Sequence, residues 1–206
     1  ANLRAGQWIW DIREEPQGLG IAWARDSELT NRRLLLVGSD MAVGKMPSVL
    51  QIWQSARPQG IQAEFLATGQ IGIAISGRGI PLDAIRVDYA GGAVEKMVLD
   101  AADSALAIVE GQGSLLHPGS TSTLPLLRGA CPTHLILCHR AGMTELDTVG
   151  VTVKVPPLNE VIALYEDVAS ACGIYPRPVT VGLVLNTAPL TDEPPQRAVS
   201  ETADAT

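Results

Sequence analysis

Apolar residues in this chain come in short unbroken runs that alternate with stretches of helical spacing. Leu34-Leu35-Leu36-Val37, residues 61–67, Ala105-Leu106-Ala107-Ile108-Val109, residues 133–138, residues 151–155 and residues 179–185 read as six strands. Between them, Val49, Leu50, Trp53 and Ala56 recur at helical spacing over residues 45–56, and residues 82–101 and 121–129 read as further helices, the latter capped by Ser120 or Thr121. Val161, Ile162, Leu164, Tyr165 and Val168 form the apolar face of a helix over residues 158–172. Strand, helix and strand in succession make a right-handed parallel crossover, so the expected fold is α/β, a mostly parallel sheet with helices on both faces. Residues 1–33 suggest one or two short strands and a linker. Their Trp8-Ile9-Trp10 is either a contact with a further domain or subunit, or a local hydrophobic plug. Residues 191–206, rich in proline, acidic and small residues, read as a disordered tail after a principal domain over residues 34–190.

The first strand runs into Gly38-Ser39-Asp40-Met41-Ala42-Val43-Gly44-Lys45. A glycine that breaks a buried strand, followed by Gly-Lys at the start of a helix, is a phosphate cradle of P-loop type. Backbone N–H groups turn inward, the helix N-terminus adds positive potential and the lysine adds a full charge. Gly38, Ser39, Asp40, Ala42, Val43, Gly44, Lys45 and Met46 are therefore the candidate binding residues for a polyphosphate. Five residues rather than four separate the two glycines, and Met46 stands where a Mg²⁺-binding Ser or Thr usually follows the lysine.

Composition narrows the partners. The 206 residues carry a net charge of −7 with basic residues scattered singly or in pairs, which argues against a nucleic-acid partner. Cys131, Cys138 and Cys172 show no metal-like spacing, and no apolar run is long enough to span a bilayer. A cytoplasmic protein acting on a small molecule is the expectation. The start at Ala1-Asn2 reads as a fragment of a longer polypeptide or as a processed start.

Loops after parallel strands gather at the carboxyl edge of the sheet, where ligands of open α/β folds bind. Residues 68–79 form one such loop, a ligand contact or a plain connector, which makes Thr68, Gln70 and Arg78 candidates. Gly91-Gly92 inside the third helix suggests close approach of a ligand or another helix. Glu110 ends a hydrophobic strand beside the cradle, placed to hold Mg²⁺ together with Asp40 or to take a proton. Gly113, Ser114, His117, His139 and Arg140 follow strands at the same edge, His117 as base or as structural hydrogen-bonder.

Three stations carry a resemblance. Residues 38–45, Val109-Glu110-Gly111-Gln112-Gly113 and Gly182-Leu183-Val184-Leu185-Asn186 resemble the phosphate loop, the Glu-bearing strand end and the base-recognising Asn segment of dethiobiotin synthetase. Ala67-Thr68-Gly69-Gln70, Asp88-Tyr89 with Gly92-Ala93-Val94-Glu95, and residues 110–119 are closer to the D-glutamate (D-amino acid) N-acetyltransferase family, long described as a domain of unknown function. This second resemblance implies acetyl transfer from acetyl-CoA to the amine of a D-amino acid. The synthetase resemblance puts Asn186 near the adenine. From loop position, Glu110 or His117 is the candidate base, the backbone of residues 111–114 the candidate oxyanion site, and Arg78 or Arg140 either a partner for substrate carboxylates or a solvated surface residue. The second resemblance implies a cradle that anchors the donor's phosphates. It also implies an N-terminal domain, to whose end residues 1–33 belong, and a homo-oligomer. Under the synthetase resemblance ATP and Mg²⁺ activate a carboxylate, and a third reading is a nucleotide-binding module without turnover.

Overall fold

The protein is described by a computed structural model that covers residues 3–190, 195–204 and 206. Among the described residues five strands form one sheet: β1 (Arg32–Gly38), β2 (Ala63–Leu66), β3 (Leu106–Val109), β4 (His134–Arg140) and β5 (Val179–Asn186). Their order is β2-β3-β1-β4-β5 and every neighbouring pair is parallel. The helices are α1 (Lys45–Ala56), α2 (Gln70–Ser76), α3 (Val87–Asp100), α4 (Thr123–Ala130), α5 (Leu158–Ser170) and α6 (Pro195–Asp204).

Alternation along β1 explains the two layers. Leu34 and Leu36 point to one face, where they pack with Val43, Val49 of α1, Phe65 and Ile73 of α2. Leu35 and Val37 point to the other, against Ala93 and Val94 of α3, Leu126 and Leu127 of α4, and Val161 and Tyr165 of α5. Because both faces are covered, β1 is apolar without interruption from Leu34 to Val37.

Of the pair Gly91-Gly92, only Gly92 is required by close packing, and Gly129 opposite is required by the Gly91 backbone. A Cβ on Gly129 of α4 would lie 2.1 Å from the Gly91 carbonyl oxygen, and one on Gly92 would lie 2.0 Å from that of Gly20. Gly129 thus lets α4 approach α3, and Gly92 admits the N-terminal segment, while a Cβ on Gly91 would meet nothing nearer than 3.5 Å.

That segment contains no strand; among described residues before Arg32 the only regular element is a 3-10 turn, Arg25–Glu28. It is fastened by one carboxylate. Glu95, fully buried on α3, accepts the Trp23 and Arg25 backbone N–H groups and the Arg25 guanidinium. Trp8, Trp10 and Trp23 stay exposed, so the plug reading fails.

Asp26 beside it is fully buried with neither carboxylate oxygen hydrogen-bonded among the described residues, and burial pushes its pKa up to about 6, with Cys131 and Arg33 acting the other way. A carboxyl whose folded pKa exceeds its unfolded value favours folding at low pH, and that advantage is lost as pH rises from about 4 through 6. Asp26→Asn is therefore expected to raise stability by about 1–3 kcal/mol at pH 8 and by little at pH 4, as read from denaturant unfolding at the two pH values.

Other expectations also change. Residues 151–155 are not a strand; Lys154 makes a single antiparallel bridge to Glu145 in a hairpin whose tip residue Val149 is fully exposed. Residues 68–79 are not an open loop but hold α2, ended by Gly77 in the left-handed conformation. The helix read over 82–101 splits into a 3-10 turn, Leu82–Ala84, and α3. Ser122, not Ser120 or Thr121, precedes α4, and without a side-chain cap. Pro195–Asp204 is helical where disorder was expected, although residues 191–194 of that tail lie outside the described residues.

Candidate active site

The loop from β1 to α1 is held in a shape that turns its backbone inward. Ala42 (φ 45°) and Gly44 (φ 103°) both adopt the left-handed conformation, which makes the concave run of amides an anion needs. Gly38 has no room for a side chain, since a Cβ would lie 2.7 Å from both the Asp40 carbonyl oxygen and the Lys45 ammonium. Lys45 curls back over the loop and donates from Nζ to the Asp40 carbonyl at 2.9 Å. It is 7% exposed, and burial lowers its pKa to about 8 against the opposing pull of Cys138 and Asp40.

Asp40 and Ser39 shape the loop from below. The Asp40 carboxylate accepts the Met41 N–H at 2.7 Å through one oxygen and the Asp147 N–H at 2.9 Å through the other. This ties the 144–155 hairpin to the cradle. Ser39 donates its backbone N–H to Cys138 and places its hydroxyl 2.8 Å from Nδ1 of His139, a buried ring whose pKa is lowered by burial and by Arg140.

The facing wall begins at Glu110, just past β3. Its Oε2 accepts the Thr68 and Gly69 N–H groups at 2.9 and 3.0 Å, while the Thr68 hydroxyl donates to the Glu110 carbonyl. Burial raises the carboxyl pKa; the Thr68 and Gly69 amides and Gln112 pull it back. A Cβ on Gly72 would strike Oε2 at 2.4 Å, so α2 must carry glycine there to settle over the carboxylate. Glu110→Ala leaves one buried and one half-buried donor unpaired and is expected to cost about 1–3 kcal/mol, whereas Glu110→Gln keeps an acceptor and should lose less; thermal melts of the pair check this.

Cradle and wall enclose a cleft of about 570 Å³. Ala42, Val43, Gly44, Lys45 and Met46 line one side, and Gln70, Glu110 and residues 111–113 line the other. Asn186, at the end of β5, stands beside the cradle, 3.7 Å from where a Gly44 Cβ would be. Gln70 reaches the cleft but bonds to Asp83 at 3.1 Å.

Several candidates fall elsewhere. Arg78 pairs with Glu64 at 3.0 Å and lines a separate cavity on the outer side of β2. His117 has both ring nitrogens engaged: Nδ1 accepts the Gly119 N–H, so Nε2 donates to the Asp147 carbonyl. That is the structural role. Thr68 and Ser114 are buried in backbone contacts, and Gly113 adopts φ 67° against Ser120. Arg140 donates to the Met143 sulfur. Asp40 does not line the cleft that Glu110 lines, and among the described residues no group of three His, Cys, Asp or Glu is placed to hold a metal ion.

The Gln112 side chain and Tyr165 escaped the sequence reading. Gln112 lines the cleft between Glu110 and Gly113. Tyr165, read only as part of an apolar helix face, donates its hydroxyl to the Gly38 carbonyl at 2.7 Å and accepts the Leu115 N–H at 3.0 Å. The signal was its chemistry: a tyrosine in an otherwise aliphatic stripe must find a partner for its hydroxyl.

A five-stranded parallel sheet with this loop at the carboxyl end of its central strand defines a P-loop α/β domain. Residues 20–206 match the family described as "Domain of unknown function (DUF1611_C) P-loop domain". The chain belongs to the DUF1611 family. It is 37% identical over 186 residues to a Pseudoalteromonas protein named D-glutamate N-acetyltransferase, an alignment that covers 90% of this chain and 54% of that protein. The crystal structure of a DUF1611 family protein from Anabaena variabilis superposes with TM-score 0.95 at 48% identity, over 99% of this chain and 59% of the other. Cobyrinic acid a,c-diamide synthase from Mycobacterium smegmatis shares the fold alone, at TM-score 0.51 and 13% identity over 86% of this chain and 83% of that one. The chain spans about half the length of the curated relative it matches. Among the described residues no helix is long and apolar enough to cross a membrane.

Proposed function

We propose that this chain is the donor-binding domain of an N-acetyltransferase that moves the acetyl group of acetyl-CoA to the amine of a D-amino acid, D-glutamate first among acceptors. The observation that carries this reading is the cleft itself: a phosphate cradle with a buried Lys45 on one side, and on the other a wall of Glu110 and the backbone of residues 111–113. The relative's name supplies the acyl group and the acceptor class.

The residues fit a coenzyme A phosphate. Ala42 and Gly44 in the left-handed conformation open the loop amides, and Lys45 supplies the countercharge. Met46 in the lining offers no hydroxyl to a metal, which suits a loop that anchors a donor rather than one that transfers a phosphoryl group. The donor supplies an acetyl thioester. In the transfer the acceptor nitrogen bonds to the acetyl carbon, the C–S bond breaks, the departing coenzyme A thiolate takes up the second nitrogen proton to leave as the thiol, and one ammonium proton must leave first. Glu110 takes that proton, and burial raises its proton affinity. The backbone of residues 111–113 faces the same space and serves the developing oxyanion. Asn186 beside Gly44 is the contact for the adenine end.

Calorimetric titration with acetyl-CoA and, separately, with ATP plus Mg²⁺ tests the reading, followed by chromatography of D-glutamate incubated with acetyl-CoA. Metal-independent binding of acetyl-CoA and formation of N-acetyl-D-glutamate are expected. Binding of Mg·ATP alone would replace the reading with a synthetase-type ligase, and binding of neither would sink the phosphate-cradle assignment for this chain.

A further inference from the structure

Tyr165 joins the two sides of the cleft. It sits on α5, fully buried, and its hydroxyl lies between the last residue of β1 and the loop that follows β3. The phenol has one hydrogen to give, and the Gly38 carbonyl takes it at 2.7 Å. Burial raises its pKa, so the group stays a neutral donor. A lone pair receives the Leu115 N–H at 3.0 Å.

The peptide this fixes is the first one of the cradle. Its carbonyl end, Gly38, is held by Tyr165, and its N–H end, Ser39, is held by the Cys138 carbonyl at 3.0 Å. A peptide held at both ends cannot flip, so the entry to the loop is fixed. The other end of the link is equally constrained. Ser114 donates its N–H to the Ser120 hydroxyl, and Thr123 donates to the Gln112 carbonyl, so the wall of residues 112–115 is clamped to the start of α4.

We propose that Tyr165 is a positioning residue that sets the cradle against the 111–113 wall, and that its hydroxyl governs affinity for the phosphates of the donor. This rests on the reading of the cleft as a donor site. It adds a group that touches neither ligand and acts through the Gly38 carbonyl.

The test is titration of coenzyme A and of inorganic pyrophosphate into wild type, Tyr165→Phe and Ser120→Ala, with circular dichroism and melting curves on each. Ser120→Ala loosens the same wall without touching Gly38, so it reports the purely structural effect. Tyr165→Phe is expected to weaken both ligands at least ten-fold at a temperature where it is fully folded, while Ser120→Ala stays within about three-fold. Wild-type binding with Tyr165→Phe inside two-fold overturns the proposal and leaves the cleft reading standing. Failure of the wild type to bind either ligand overturns the cleft reading and the proposal with it. Should Tyr165→Phe not fold, amide exchange on the wild type decides. Coenzyme A is expected to slow exchange of the Leu115 N–H along with that of Ser39, and an unchanged Leu115 rate overturns the proposal.

Discussion

Lys45→Ala is expected to weaken binding of coenzyme A by about 2 kcal/mol or more, roughly thirty-fold, because it removes a charge-assisted contact to phosphate from a site shielded from water. Lys45→Met should do the same to binding and yet stabilise the empty protein. Lys45 is 7% exposed, its ammonium bonds to one backbone carbonyl among the described residues, and burial lowers its pKa to about 8. An unfolded lysine titrates near 10.4, so between about pH 8 and 10 the unfolded chain holds a proton that the folded one has released. Stability of the empty protein therefore rises with pH across that window and is lowest, and flat in this respect, below pH 8. At pH 7 the methionine variant is expected to gain up to about 3 kcal/mol over wild type, and the gap should close by pH 10. Denaturant unfolding at the two pH values reads the sign. Donor binding should reverse the same titration: a phosphate beside the ammonium raises its pKa, so coenzyme A binding at pH 8.5 takes up protons. Calorimetry in buffers of different ionisation enthalpy measures that uptake. An equal loss of stability in both variants would show that the lysine packs the loop rather than waits for an anion.

The sheet was legible because the physics that makes it is local in sequence. Four apolar residues in a row, Leu34 to Val37, have no use except burial on two faces, and the structure buries them so. The cradle was legible for the same reason, its glycines and lysine lying within eight positions. What joins the cradle to its surroundings was not. Glu110 answers to amides 42 and 41 residues away, and Tyr165 to a carbonyl 127 residues away. Such bonds leave no periodicity. Helix α2 was hidden too, since Gly69, Gly72 and Gly77 read as loop residues. Two of those glycines exist to clear the Glu110 and Gln112 side chains, a reason visible only once the carboxylate is in place. Arg78 misled by position: it follows a strand whose carboxyl end meets the cleft, but α2 intervenes and carries it back to Glu64.

Gly111→Ala is expected to be the most damaging single methyl group in the chain. A Cβ there would lie 1.6 Å from the Leu36 carbonyl oxygen, well inside contact distance, and the obstacle is backbone rather than a side chain that could swing away. Neither partner can yield cheaply. Leu36 belongs to the central strand and pairs with β4, while Gly111 continues directly from β3, which is held to β1 through Leu35 and Val109 and to β2 through Leu66 and Val109. Relief requires parting β1 from β3 at their carboxyl ends, where the cleft is formed. A loss of about 4 kcal/mol or more is expected, at the extreme of what single substitutions do. Gly182→Ala in β5 is the control: its nearest neighbour would be 4.0 Å away, and alanine there should be neutral or mildly stabilising. Denaturant titration of the two variants compares them directly. If Gly111→Ala costs less than about 1 kcal/mol, the 111–113 wall is free to shift and cannot hold an oxyanion site in register with the cradle.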